Sequence, residues 1–152
     1  MGRLLTFAAV VALALAALIG TAQAQAQDDL VAGRTFVIPL SGPGGSGTSV
    51  FTFNPGLGLV CYTIDVTLTT AGDVPAEPAP GLGTAHIHVR PSGGIFIDLE
   101  AQFQATDGGF TASACVTADR EAIIAVFANP ERYYVNVHTV AFPGGAVSGD
   151  FG

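Results

Sequence analysis

Short stretches in which apolar and polar residues alternate recur along most of this chain. The longest covers residues 59–69, where every second side chain from Val60 onward is apolar and those between them are polar or small. Residues 133–139 alternate in the same way and lead into a Pro-Gly-Gly turn at residues 143–145. Side chains alternate across a strand, and one buried face with one wet face is typical of antiparallel sheets. The pattern therefore predicts an all-β domain.

Shorter strand candidates lie between segments rich in glycine and proline. These candidates are residues 35–38, 48–53, 83–90, 95–101, 110–116 and 146–151. Pro39 is predicted to end the first strand, and residues 41–47 and 73–80 are predicted loops. One short helix is predicted from an N-cap at Thr117 to Asn129-Pro130, with a strand over residues 123–127 as the alternative.

Together these elements indicate one fold class. About eight short strands and one short crossover helix are typical of an antiparallel β-sandwich or barrel. The glycine run at residues 42–47 matches Gly-x-Gly-x-x-Gly, but a strand candidate follows it where a dinucleotide site needs a helix. Phosphate binding by this run is therefore not predicted.

The N-terminal segment has the pattern of a secretory signal peptide. Arg3 precedes an almost uninterrupted apolar run over residues 4–19, which is shorter than the ~20 residues of a spanning helix. Small residues then form two Ala-x-Ala sites, so cleavage is predicted after Ala24 or Ala26, with an uncleaved membrane anchor as the alternative. Residues 1–24 are assigned to the signal and residues 35–152 to one β domain. The product is predicted to be secreted, without stable membrane association after cleavage.

The charge balance excludes two classes of partner. Removal of Arg3 with the signal leaves four arginines, no lysine and twelve acidic residues, a net charge of −8. Nucleic acids and anionic membranes both require a basic surface. Neither is therefore expected to bind this protein.

The chain contains two cysteines, Cys61 and Cys115. Disulfides form and persist in oxidising compartments, and an even number of cysteines in an exported chain favours pairing. Neither cysteine belongs to a Cys-x-x-Cys or nucleophile motif. A disulfide between them is predicted, with a thiolate nucleophile or metal ligand as the alternative.

Several short motifs occur in a recognisable order along the mature chain. They are Ala85-His86-Ile87-His88, Asn129-Pro130, Tyr133-Tyr134-Val135-Asn136-Val137-His138-Thr139 and Pro143-Gly144-Gly145-Ala146-Val147, with Leu59-Val60-Cys61-Tyr62 and Ala114-Cys115-Val116 around the cysteines. In this order they resemble a CHRD domain, a family named for repeats in chordin that also occurs as single-domain secreted bacterial proteins. The resemblance covers residues 36–151. It implies an immunoglobulin-like β fold of largely unknown molecular function, with no enzyme chemistry assigned to the family as a whole. The partner expected for such a module is an unidentified protein or other extracellular ligand.

All three histidines of the chain fall within these motifs. His86 and His88 are two residues apart on a predicted strand, so their side chains share one face about 7 Å apart. If the strand of His138 pairs beside them, a third imidazole lies about 5 Å away. Three imidazoles can bind one copper or zinc ion, with Asp150 or water as the fourth ligand. The alternative is that the histidines and Asn136 form structural hydrogen bonds, or that the histidines are merely exposed.

Catalysis has no comparable pattern in this sequence. The chain has neither a Gly-x-Ser-x-Gly elbow nor a His-Glu-x-x-His motif, and no motif places a pair of carboxylates. The sequence therefore predicts a secreted binding or structural module rather than an enzyme, and it assigns no certain cofactor. A copper or zinc protein that uses the three histidines, with redox activity as an option, is the alternative.

Overall fold

A computed structural model describes residues 33–152 of the chain. The predicted signal peptide at residues 1–24 lies outside the described residues. The strands are β1 Arg34–Gly42, β2 Gly45–Asn54, β3 Leu59–Leu68, β4 Ala85–Val89, β5 Gly94–Asp98, β6 Gln104–Thr106, β7 Gly109–Thr117, β8 Tyr133–Val137 and β9 Val147–Asp150. One α-helix, α1 Arg120–Ala128, lies between β7 and β8 and is followed by a 3-10 turn at Pro130–Arg132.

All nine described strands join one antiparallel sheet in the order β5-β4-β8-β9-β1-β2-β3-β7-β6. The sheet curls into a half-barrel, so that strands far apart in this order meet. The hydroxyl of Tyr62 on β3 donates a hydrogen bond to the carbonyl oxygen of Leu99, just after β5, at 2.9 Å. The predicted all-β class with one helix is confirmed. The two stacked sheets of an immunoglobulin-like sandwich are not confirmed, because the described strands form one continuous sheet.

The concave side of the sheet is filled by the residues that the alternation places in the apolar phase. On β3, Val60 and Ile64 are fully buried, while Thr63 between them is exposed. Aromatic rings from β1, β2, α1 and the C-terminal end form one cluster, with ring centroids 5.3–6.4 Å apart. The rings belong to Phe36, Phe51, Phe53, Phe127 and Phe151. Burial of large aromatic side chains is a strong stabilising term, so this cluster anchors the curl of the sheet.

Two predicted boundaries in the first hairpin are wrong. β1 continues through Pro39. Proline has no N–H to donate to a neighbouring strand, but β1 pairs with β9 only where Ser41 lies opposite Ser148, so the missing donor removes little of that pairing. The glycine-rich residues 41–47 are the tight end of the β1–β2 hairpin rather than a loop. A side chain at Gly47 would collide with the carbonyl oxygen of Asp65 on β3, so glycine is what allows this close pairing.

The helix also begins later than predicted. Thr117 is the last residue of β7, and Asp119 is the N-cap, without a side-chain capping hydrogen bond. The predicted end of the helix at Asn129-Pro130 is confirmed. Ile123 and Val126 on the inner face of the helix are buried. Because the segment is helical, the alternative strand over residues 123–127 is excluded.

Candidate metal centre

The β4 and β8 strands bring the two histidine motifs together. They pair antiparallel, with His86 opposite Asn136 and His88 opposite Tyr134. His138 directly follows β8 and continues the pairing, since its N–H donates to the carbonyl oxygen of Thr84 at 2.9 Å. The expected juxtaposition of the three histidines is therefore what the structure has.

The three imidazole rings form one buried cluster. Their centroids are separated by 5.1 Å for His86 and His138, 5.5 Å for His86 and His88, and 6.2 Å for His88 and His138. One ring nitrogen from each residue lies within 4.8 Å of the other two. The residues are only 0%, 7% and 5% exposed in chain order. The histidine face of β4 is thus covered by protein, which excludes the interpretation of these side chains as merely exposed.

Two of the rings are held from outside the cluster by backbone carbonyl groups. His88 Nδ1 donates to the Gly93 carbonyl oxygen, and His138 Nδ1 donates to that of Pro143, each at 2.9 Å. A carbonyl oxygen only accepts, so both Nδ1 atoms carry the proton and each neutral ring keeps its lone pair on Nε2. The contacts fix both the orientation and the tautomer of two imidazoles.

His86 has no neutral form that suits both of its neighbours. Its Nδ1 lies 3.1 Å from His138 Nε2, and its Nε2 lies 3.9 Å from the Asp98 carboxylate. With the proton on Nδ1, the Nε2 lone pair faces a carboxylate. With the proton on Nε2, two lone pairs face each other across 3.1 Å. A cation between the rings relieves the second arrangement.

The buried surroundings keep the His86 and His138 imidazoles uncharged. Burial lowers the pKa of His86 from 6.5 to about 4; the Asp98 charge opposes this shift, and His138 and His88 add to it. Burial also lowers the pKa of His138, although its bond to the Pro143 carbonyl acts in the opposite direction. Both are neutral near pH 7, which is the form of histidine that binds metal ions.

The family of the chain follows from comparison with known families. The family model of the CHRD domain matches residues 20–151, nearly the whole chain. This chain belongs to the CHRD domain family. No curated protein and no solved structure matches it. The resemblance based on the histidine motifs is confirmed.

Asp150, the predicted fourth ligand, lies elsewhere in this CHRD domain. Its carboxylate accepts a bond from Arg90 Nη1 at 2.8 Å, and both side chains are about half exposed. β9 places Asp150 opposite Tyr134, and the cluster that could hold a metal ion in the described part of the chain consists of the three histidines. The structure therefore pairs Asp150 with Arg90 and does not bring it into the histidine cluster.

Asn136, assigned to a structural role, contacts the turn that holds His138. Its Nδ2 donates to the Gly144 carbonyl oxygen at 3.4 Å, next to the Pro143 carbonyl that binds His138. A side chain at Gly145 would collide with the Asn136 amide. The Oδ1 atom of Asn136 is buried without a hydrogen-bond partner, and the structural role of this residue stays a prediction.

Two acidic residues near the cluster were missed by sequence reasoning. Asp98 lies opposite His86 at the end of β5, beyond a shift of register between Ile87 and His88. Asp73 lies in the proline-rich loop, where its Oδ1 accepts bonds from the N–H groups of Val74 and Ala141 at 3.1 and 3.0 Å. No residue pattern marks either position, because their roles depend on strand register and on loop docking.

The Asp73 carboxylate fastens the proline-rich loop over the segment that follows His138. Burial raises its pKa, but hydrogen bonds from Thr139 and from the backbone of Ala141 and Val74 outweigh burial and lower the pKa overall. The N–H of Ala76 donates to the His138 carbonyl oxygen at 3.1 Å. Pro75 also forms an isolated bridge with Thr139, so the predicted loop at residues 73–80 pairs with the segment after β8 at one position.

The disulfide of the CHRD domain lies outside the histidine cluster. Cys61 and Cys115 are directly opposite on β3 and β7, with an S–S distance of 2.03 Å. The pairing predicted from the cysteine count is present. Among residues 33–152, no helix is both long and apolar enough to cross a membrane.

Proposed function

We propose that this CHRD domain is an exported binding module whose ligand is a copper or zinc ion held by His86, His88 and His138. The observation that carries the proposal is the convergence of three buried ring nitrogens within 4.8 Å of one another. Imidazole nitrogen is a preferred ligand of both ions. Enzymatic activity is not part of the proposal.

The spacing of the nitrogens supports binding of a single ion. Zinc–nitrogen bonds are about 2.0–2.1 Å long, so two nitrogens on one tetrahedral ion lie about 3.3 Å apart. His86 Nδ1 and His138 Nε2 are 3.1 Å apart, already close to that value. The nitrogen of His88 is within 4.8 Å and reaches the same ion after a modest side-chain movement. The fourth position of a three-histidine site is then open to water or to another small ligand.

A purely structural hydrogen bond accounts for less of the cluster. If His86 Nδ1 donates to His138 Nε2, these two nitrogens are satisfied and β4 is tied to the end of β8. The Nε2 atoms of His86 and His88 nevertheless remain buried without a hydrogen-bond partner. A buried unpaired polar group costs about 1–3 kcal/mol. Metal binding would use the lone pair on His88 Nε2, which has no partner if the cluster is held by the hydrogen bond alone.

Export is supported by the disulfide, because such bonds persist in oxidising compartments. The signal peptide over residues 1–24 stays a prediction, as does a protein partner for the module.

The metal content of the processed protein tests the proposal. We expect about one copper or zinc ion per chain by elemental mass spectrometry, after purification without a His tag or chelators and loading with Cu²⁺ or Zn²⁺. His88→Ala and His138→Ala should lose the ion, because each removes one of only three ligands. Gln104→Ala, on the exposed edge strand β6, is the control that should keep it.

Absence of metal from the loaded wild-type protein would refute the proposal. Full metal content in His88→Ala would equally refute it, since the ion would then lie elsewhere. Circular dichroism of each variant separates loss of a ligand from loss of the fold.

A further inference from the structure

Among residues 33–152, Asp98 is the carboxylate nearest to the histidine cluster. It lies opposite His86 in the β4–β5 pairing, with its Oδ1 atom 3.9 Å from His86 Nε2. At 37% exposure, its side chain lies at the boundary between the buried cluster and solvent. An acidic group is therefore placed directly behind one of the three proposed ligands.

Neighbouring backbone groups hold the Asp98 carboxylate in this place. The N–H of Gly83 donates to Oδ2 at 3.2 Å, and the N–H of Glu100 donates to Oδ1 at 2.9 Å. Any side chain at Gly83 would collide with the carboxylate, so the absence of a Cβ there makes room for it. The position of Asp98 is thus determined by the fold rather than by an arbitrary surface rotamer.

The two nitrogens of His86 face two different neighbours. Nδ1 faces His138 inside the cluster, and Nε2 faces Asp98 outside it. If Nδ1 binds the ion, the single proton of the neutral ring resides on Nε2. A buried N–H requires an acceptor, and His86 Nε2 has none within hydrogen-bond distance in this structure. Asp98 is the group that can supply it.

The other two ligands already have the equivalent contact. The Nδ1 atoms of His88 and His138 donate to the carbonyl oxygens of Gly93 and Pro143, on the side away from the cluster. Metal-bound histidines generally donate their second N–H to a carbonyl or carboxylate group, which fixes the ring and increases its basicity. Of the three, only His86 lacks this contact, because its Nε2 atom lies 3.9 Å from the Asp98 carboxylate, which is too far for a hydrogen bond.

We propose that Asp98 is the positioning residue of the metal centre, accepting a hydrogen bond from His86 Nε2 when His86 Nδ1 binds copper or zinc. The inference rests on the proposed function of the three histidines. A closure of about 1 Å brings the two atoms to the length of a charge-assisted hydrogen bond. The carboxylate also adds a negative charge close to an ion whose three protein ligands are neutral.

The affinity of Asp98→Asn for metal tests this role. Asparagine keeps the size of the side chain but loses its charge, so we expect Cu²⁺ affinity to fall 10- to 100-fold by chelator competition. Stoichiometry at saturating Cu²⁺ should stay at one ion per chain. Asp65→Asn, an equal charge change at an exposed position of β3, should leave the affinity unchanged.

Pulsed electron paramagnetic resonance of bound Cu²⁺ separates positioning from general stability. The method detects the remote nitrogen of each coordinated imidazole, and its quadrupole coupling responds to the hydrogen bond at that nitrogen. We expect Asp98→Asn to change one remote-nitrogen signal and to leave the other two as in the wild type. A variant that was merely less stable would keep all three signals.

The outcomes distinguish the two proposals. A wild-type protein that binds no Cu²⁺ or Zn²⁺ overturns both. A wild-type protein that binds one ion, with an Asp98→Asn variant of equal affinity and identical spectrum, overturns the role of Asp98 alone. Complete loss of the ion in Asp98→Asn also overturns it, because Asp98 would then be a direct ligand.

Discussion

His86 is the most deeply buried of the three imidazoles and, like His88, it has one ring nitrogen without a hydrogen-bond partner. Its ring is fully buried, and its Nε2 atom has no hydrogen-bond partner. Burial opposes protonation, while either neutral tautomer leaves one unfavourable contact, with Asp98 or with His138. Neither the protonated form nor either neutral tautomer of His86 suits this environment in the metal-free chain. A neutral ring with a cation bound between His86 and His138 suits it better.

The stability of the metal-free protein should therefore fall when the solution is acidified. The pKa of His86 is about 4 in the folded chain and 6.5 without the fold, so between these values only the unfolded chain binds the proton. The contribution of His86 to the free energy of unfolding is fully present above pH 6.5. It is lost as the pH falls toward 4, which lowers the free energy of unfolding by about 3 kcal/mol in total. Urea unfolding at pH 7.5 and at pH 4.5 measures the loss.

The His86→Gln variant identifies the group responsible. Carboxylates also titrate near pH 4, but their contribution is common to both proteins. The free energy of unfolding should depend less steeply on pH in the variant between pH 4.5 and 6.5. Equal dependence in the two proteins would show that His86 is not the titrating group.

At the scale of elements, β3 and β7 pair without a shift of register from Leu59 to Val66. Cys61 and Cys115 face each other there, and Thr63 and Ser113 form the next pair on the same face, with their hydroxyl groups 3.1 Å apart. The disulfide closes a loop of 54 residues. This covalent link restricts the unfolded chain much more than a hydroxyl contact does.

Removal of the disulfide should be costly for stability but not for metal binding. We expect the double variant Cys61→Ser, Cys115→Ser to lose about 4 kcal/mol of unfolding free energy by the chain-entropy model. The double variant Thr63→Ala, Ser113→Ala is matched in strand and face, and it should lose less than about 1 kcal/mol. Denaturant unfolding compares them. Equal losses in the two double variants would contradict the prediction.

Sequence patterns predicted which faces of a strand its side chains share, but not always whether a face is buried. Alternation in β3 was sufficient to assign both of its faces, because one face meets the core and the other meets solvent. Alternation in β4 predicted that His86 and His88 share a face but not that this face is buried. The side chains that contact these histidines come from a segment distant in sequence, such as Tyr134, which stacks on His88, and that contact depends on the pairing of β4 with β8.

The position of Asp98 beside His86 could not be predicted from the sequence for a similar reason. Its place opposite His86 depends on the register shift between Ile87 and His88, and periodicity does not locate such shifts. Pro39 was mistaken for a strand end, since the sequence does not show that β9 pairs with β1 at a single position. Local pattern thus predicted the histidine cluster and every described strand except the short β6, while register and loop packing decided the boundaries and the surroundings of the site.

At the scale of the whole molecule, two cross-links lie in different parts of one sheet. The disulfide joins β3 to β7, and the histidine cluster joins β4 to the end of β8. His86 and His138 are 52 residues apart in the chain, so an ion between them closes a second long loop. Neither cross-link shares a residue with the other, so each should stabilise the fold independently.

Metal binding should raise the stability of the protein by an amount that does not depend on the disulfide. An ion that binds only the folded chain adds about 2.7 kcal/mol at a free concentration 100 times its Kd. Effects at separate sites without shared partners add to within about 0.5 kcal/mol. Unfolding free energies of the wild type and of the Cys61→Ser, Cys115→Ser variant, each with and without Zn²⁺, complete the cycle. A gain from Zn²⁺ that differs between the two proteins by more than about 1 kcal/mol would show that the curled sheet couples the two sites.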